Sequence, residues 1–204
     1  HVQSLKILNA HFSDYPYFLG GRPCIGDFGM MAPLYGHLGR DPAPLHLMQT
    51  HAVRLYRWRE RMNRPEPDIG EFSDKSENYL PDDKVPQTLI EVLKHFAIDF
   101  IPESRAACET VNIWLDNNKN IEAGTEVPRD VGLCNFEIFD ASMRAESQPF
   151  RFYLMNRIQD FYEDLSGQEQ VEVAEMLAAC DMSEVLEMKL TRDIGRANNL
   201  EVWL

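Results

Sequence analysis

Two glycines, a proline and an acid three residues beyond a polar position leave this chain few conformations between residues 15 and 40. The stretch reads Gly20-Gly21-Arg22-Pro23-Cys24-Ile25-Gly26-Asp27. Gly20 and Gly21 permit backbone angles that other residues avoid, and Pro23 fixes the approach. Cys24 and Asp27 have the spacing of a capping box, in which the acid reaches back to the N–H of the cap residue. The thiol of Cys24 is a poor acceptor, so Asp27 carries the cap. Phe28, Met31, Leu34, Tyr35 and Leu38 follow at helical spacing and read as the core stripe of a helix ending at Gly39. Asp27 is therefore assigned a structural role.

The remainder is predicted to be mainly helical. Residues 2–13 carry Val2, Leu5, Leu8 and Phe12 on one side, and residues 42–63 form the next helical region. Residues 64–85 are polar and proline-marked, the composition of a linker or long surface loop. A strong helix begins at Val85 and is expected to kink or end at Pro102, with another running from Glu103 to about Asn117. Val131–Ser147 breaks the helical habit and reads as a small β-hairpin. Pro149 opens a helix whose stripe is Leu154, Ile158, Phe161 and Leu165, and two more helices are expected over 168–180 and 182–196.

Charge divides the chain near residue 65. Residues 1–65 carry eight Lys/Arg against four Asp/Glu, and the remainder carries twelve against 29, giving a net charge of −13. An acidic body repels a phosphate backbone, which argues against nucleic-acid binding. Arg54, Arg57, Arg59, Arg61 and Arg64 accordingly read as a solvated helix face complementing the acidic remainder. No apolar run is long enough to span a membrane. Cys24, Cys108, Cys134 and Cys180 are widely separated, and His46 and His51 are five apart, so neither a disulfide framework nor a zinc site is indicated. Asp27-Phe28-Gly29 spells the metal-binding tripeptide of protein kinases without the other kinase motifs. Spacing assigns no Ser-His-Asp set, paired-carboxylate motif or phosphate-cradling loop.

Residues 4–64 resemble the middle of the all-helical C-terminal domain of glutathione transferases. The resemblance rests on Tyr17-Phe18-Leu19-Gly20-Gly21-Arg22-Pro23, on Asp27 with its following helix, and on Val53 through Trp58, Arg61 and Met62. Cys24 departs from the Ser or Thr usual at the cap. Beyond residue 80, Pro128-Arg129 with Gly132, and Pro149 through Arg157, resemble a bacterial transferase-like subgroup with a long C-terminal extension. The resemblance implies a transferase-like helical core over 1–65, a linker over 66–85 and an acidic, mainly helical extension over 86–204 packing on the core. The expected fold is a mainly α bundle with additional helices and one small β-hairpin.

It further implies a cytoplasmic homodimer in which glutathione is co-substrate and a hydrophobic electrophile is the acceptor. Tyr35 and His37 are the candidate substrate-contacting residues, and Cys24 and Asp27 the helix cap. The chain reads as starting after the first helix of that domain, so the thioredoxin-like domain that binds glutathione and activates its thiol lies outside it. By itself the chain is expected to be inactive. The competing expectation is a non-catalytic binding or assembly module on the same fold.

Overall fold

A computed structural model describes all residues, His1–Leu204. The chain is mainly helical with two small antiparallel strand pairs, and it divides into two compact units, His1–His95 and Phe96–Leu204. No helix is long and apolar enough to cross a membrane.

The first unit is built on α1 (Val2–Asp14), α2 (Ile25–Met31), α3 (Pro42–His51) and α4 (Val53–Met62). The stripe read from the sequence buries Leu5, Leu8 and Phe12, and Phe12 stacks on Trp58 of α4 with ring centroids 4.8 Å apart. The helical region over 42–63 is two helices. Ala52, at φ −147° and ψ 55°, breaks it, and Asn9 of α1 accepts the Arg54 N–H at 2.8 Å in place of a local cap.

Two expectations for the segment after Cys24 are corrected. Regular α-helix stops at Met31, and Ala32–His37 continues as a π turn closed by the Leu38 N–H on the Pro33 carbonyl. Pro33 has no N–H to give, which removes a rung of the α-ladder there. The stripe expected to form core does so only at Leu34, while Phe28 is 62% exposed and Ile25 89%. The face that α2 buries is set by Asp27.

Residues 63–86 form a strap lying on the first unit. Gly21 N–H bonds the Asn78 carbonyl at 2.8 Å, and Leu80 N–H bonds the Leu19 carbonyl at 2.9 Å. Phe72, within the strap, is buried. The double glycine makes this approach possible. A Cβ at Gly21 would sit 2.0 Å from the Ser76 carbonyl oxygen, and Gly20, at φ +116°, would meet Leu80 N at 2.9 Å.

Helix α5 (Gln87–Asn117) is a single helix with Pro102 inside it, so of the expected kink or end at Pro102 the end is corrected, and Glu103–Asn117 is not a separate helix. Pro102 has no N–H to offer the carbonyl four residues back, which belongs to Ile98 on the exposed side of the helix.

In the second unit, β1 (Leu133–Ile138) pairs antiparallel with β2 (Ala141–Glu146), then α6 (Phe150–Asp164) and α7 (Gly167–Ala179) follow. Ser166 caps α7 with Glu169 in a reciprocal box. The helix expected over 182–196 and the apolar tail after it are instead a short 3-10 turn at Ser183–Leu186 and a second hairpin. That hairpin pairs β3 (Ile194–Ala197) with β4 (Leu200–Trp203). Asn198 and Asn199, at φ 51° and 64°, make its two-residue turn. The core gathers Val111, Leu115, Phe152, Met155, Ile194 and Trp203. Here the expected α6 stripe is also corrected, since Phe152, Met155 and Gln159 face inward and Leu154, Ile158 and Phe161 are exposed.

Candidate functional site

Loop 15–24, the α2 start, α4 and the strap meet around two buried charged side chains of the first unit. Asp27 is wholly buried. Its carboxylate accepts the Cys24 N–H at 2.9 Å, the Trp58 indole N–H at 2.8 Å and the Phe18 N–H at 3.3 Å. Burial pushes its carboxyl above the ordinary range, opposed by the N–H groups of Cys24, Trp58 and Phe18. All three donors point at the carboxylate, so one group joins the cap, the preceding loop and α4. Cys24 is a half-buried free thiol, raised in pKa by burial and further by the Asp27 charge, partly offset by backbone N–H groups.

Arg61 is the second charge. It is 4% exposed, donates to the Pro16 carbonyl at 2.7 Å and to Glu71 at 3.3 Å, and lies over the Tyr17 ring. Burial lowers its pKa, opposed first by the Glu71 charge. Tyr17 in turn donates its hydroxyl to the Asp68 carbonyl at 2.7 Å and accepts the Asp68 N–H at 3.2 Å. Glu71 also takes Arg54 at 2.9 Å and Arg57 at 3.5 Å. Burial would raise the Glu71 carboxyl, but its own backbone N–H and the Arg54, Arg61 and Arg57 cations outweigh that and hold it low. The expected solvated arginine face is thus corrected at two positions. Arg59, 7% exposed, bonds the Gly39 carbonyl at 2.7 Å and pairs with Glu60.

Shallow cavities flank this strap. One of about 310 Å³ is lined by Arg57, Arg61, Arg64, Asp68 and Glu71, and one of about 300 Å³ by Gly21, Arg22, Asp68 and Asn78. A smaller one, about 100 Å³, lies between Tyr17, Phe28, Met62 and Pro65. Their walls offer guanidinium donors and carboxylate acceptors in balance, suited to holding small polar groups. Arg61 Nε and Asp68 Oδ1 are buried without partners beside the first of them, an arrangement a bridging water would satisfy.

Tyr35 and His37 lie on the π turn and line none of these cavities. Tyr35 is half-buried, with the Arg59 guanidinium 5.3 Å from its ring centroid. His37 is exposed, and its carbonyl takes the N–H groups of Arg40 and Asp41. The two are not brought together with Asp27. Of the residues that organise the site, Tyr17 and Arg61 were read from the sequence only as parts of the loop and the arginine face, and Asp68 and Glu71 only as linker. Their signal was the i, i+3, i+7 spacing of Arg54, Arg57 and Arg61 ahead of the acids of the strap.

His11 is buried against this site, its Nδ1 2.9 Å from the Thr88 hydroxyl and Nε2 3.4 Å from the Tyr17 carbonyl. A carbonyl only accepts, so Nε2 carries the proton and Nδ1 accepts from Thr88. Burial lowers its pKa to about 4. It is a neutral imidazole that joins α1 to Thr88 and to the Tyr17 carbonyl. The Cys108 and Cys180 thiols are likewise pushed up by burial, away from the reactive thiolate. No protein-family model, curated protein or solved structure matches the chain.

Proposed function

We propose that this chain is the helical, substrate-pocket half of a bacterial glutathione transferase-like protein. The observation that carries the reading is the Asp27 carboxylate, buried where a glycine loop enters a helix and bonded to its cap N–H and to the tryptophan of a later helix. The cap is the part of this arrangement that the resemblance of residues 4–64 leads one to expect, and the bond to Trp58 ties it to the later helix of the same stretch. The exposed Ile25 and Phe28 on α2 add support, because a second domain would cover them. In the complete protein, glutathione would be held, and its thiol ionised, by a thioredoxin-like domain outside these residues. Attack of that thiolate on a hydrophobic electrophile would form a thioether, with Tyr35 and His37 as the side chains offered to the acceptor. A cytoplasmic homodimer belongs to the same reading.

The test uses the full reading frame, titrated with glutathione and assayed for conjugation to an aryl halide. Turnover lost on replacing the thiol-activating residue of the thioredoxin-like domain supports the proposal. A full-length protein that does not bind glutathione overturns it.

A second reading is a non-catalytic binding or assembly module on the same helical fold. The observation favouring it is that this chain's own titratable groups are committed to structure: Asp27 to a cap, His11 to Thr88, and Glu71 to three arginines. Saturable partner binding without turnover distinguishes it.

A further inference from the structure

Helix α6 turns an apolar stripe away from the core of its unit, and its rotation is fixed. Phe152 is fully buried, and Gln159, 3% exposed, donates to the carbonyls of Val185 at 2.7 Å and Met188 at 3.2 Å. Rolling the helix to bury Ile158 would pull this amide off both carbonyls and leave them unpaired in apolar surroundings. Leu154, Ile158 and Phe161 therefore stand outward, 44%, 54% and 68% exposed. Phe150 extends the stripe at one end and half-buried Leu165 at the other. A contiguous exposed stripe of this kind marks an interaction surface.

The charges beside the stripe select its occupant. Arg157 and Asp164 are both exposed and seven residues apart, so they lie on the same flank. A partner of one charge sign would gain at one of them what it loses at the other. The partner that satisfies both is α6 itself, reversed. In an antiparallel pair each flank faces itself. With Ile158 set against Phe161 of the other copy, Leu154 meets Leu165 and Arg157 comes opposite Asp164. In a parallel pair this flank would face the opposite flank of the partner helix, where Tyr162 lies, and both charges would be left unpaired. Two such stripes remove roughly 700–800 Å² of apolar side-chain surface from water. With the flanking polar residues the total approaches the lower end of specific interfaces, about 1,200 Å².

We propose that the outer face of α6 is a self-association surface on which two copies of this chain pair antiparallel about a two-fold axis beside Ile158 and Phe161. The surface lies outside the transferase-like residues 4–64 and does not depend on that reading. Sedimentation velocity of the chain, taken to about 100 µM so that micromolar association is populated, should show a dimer. Ile158→Glu, on the solvent side of the helix, should weaken it at least tenfold while leaving far-ultraviolet circular dichroism unchanged. Arg157→Asp should weaken it too, by placing acid against acid. Combining Arg157→Asp with Asp164→Arg should restore it, a recovery that only antiparallel self-pairing produces. A monomer throughout the range, a dimer indifferent to Ile158→Glu, or a double variant that fails to recover would each overturn the proposal.

Discussion

The Trp58 indole N–H donates to Asp27 Oδ1 at 2.8 Å, with both side chains fully buried and thirty-one positions apart in sequence. An acid that begins as a local cap thereby also ties α2 to α4. The carboxylate suits the place because each of its neighbours there is a donor. Asparagine does not, since its amide would direct an N–H at another N–H whichever way it is turned.

Asp27→Asn should therefore destabilise the protein by about 2 kcal/mol and Asp27→Ala by about 3 kcal/mol or more, beyond the roughly 1 kcal/mol of an ordinary cap. Trp58→Phe keeps most of the ring and removes one donor, at a cost of about 1–2 kcal/mol. Denaturant unfolding of the single and double variants should give a coupling between Asp27 and Trp58 near 1 kcal/mol or larger. Additive effects would mean that the bond contributes nothing.

His11 sets a pH dependence. Its pKa is about 4 in the folded chain and 6.5 when exposed. Between these values the unfolded chain holds the extra proton, so stability rises with pH across the window and is lost on acidification from 6.5 towards 4. The full excursion is about 3 kcal/mol at most. His11→Gln abolishes the titration and should flatten the stability curve between pH 6.5 and 4, whatever it does to stability at neutral pH. An unchanged slope would place the protonation elsewhere.

The α1 stripe was legible because Leu5, Leu8 and Phe12 are its main large apolar residues and meet one environment. Helices α2 and α6 were not, since each carries apolar residues on more than one side. Periodicity then does not say which side is inward, and the choice falls to a polar anchor, Asp27 in one case and Gln159 in the other. Such anchors are set by partners far away in sequence, which a local pattern does not contain. The second hairpin is different. Asn198-Asn199 between two short apolar runs is a turn signal, and it was overshadowed by the helical appearance of residues 182–196. The cap at Asp27 was readable, but not its reach to Trp58 and Phe18, nor the burial of Arg61.

Gly21 separates conformational freedom from close approach. A methyl group there would lie 2.0 Å from the Ser76 carbonyl oxygen, whereas one at Gly29 meets nothing within 4 Å. Gly21→Ala should lift the strap, costing about 1–3 kcal/mol and opening residues 74–80 to limited proteolysis. Gly29→Ala, inside α2, should be neutral or stabilise by up to about 1 kcal/mol. If both variants behave alike under protease, the strap does not depend on the glycine notch.

Gln159 provides the sharpest test of how α6 is held. Its amide is the polar group that meets the Val185 and Met188 carbonyls in an otherwise apolar setting. Gln159→Leu supplies comparable volume and no donor, which leaves two buried carbonyls unpaired. Unfolding free energy should fall by about 1–3 kcal/mol. Gln159→Glu keeps the shape but offers a carboxylate to two acceptors, so it should fall further at neutral pH and recover towards acid, as the carboxyl protonates and can donate again. That recovery, read from midpoints at pH 7 and 5, separates a lost hydrogen bond from a lost packing contact. A Glu variant that stays equally weak at both values would show that packing against Phe152 and Met155, and not the amide, sets the orientation of the helix.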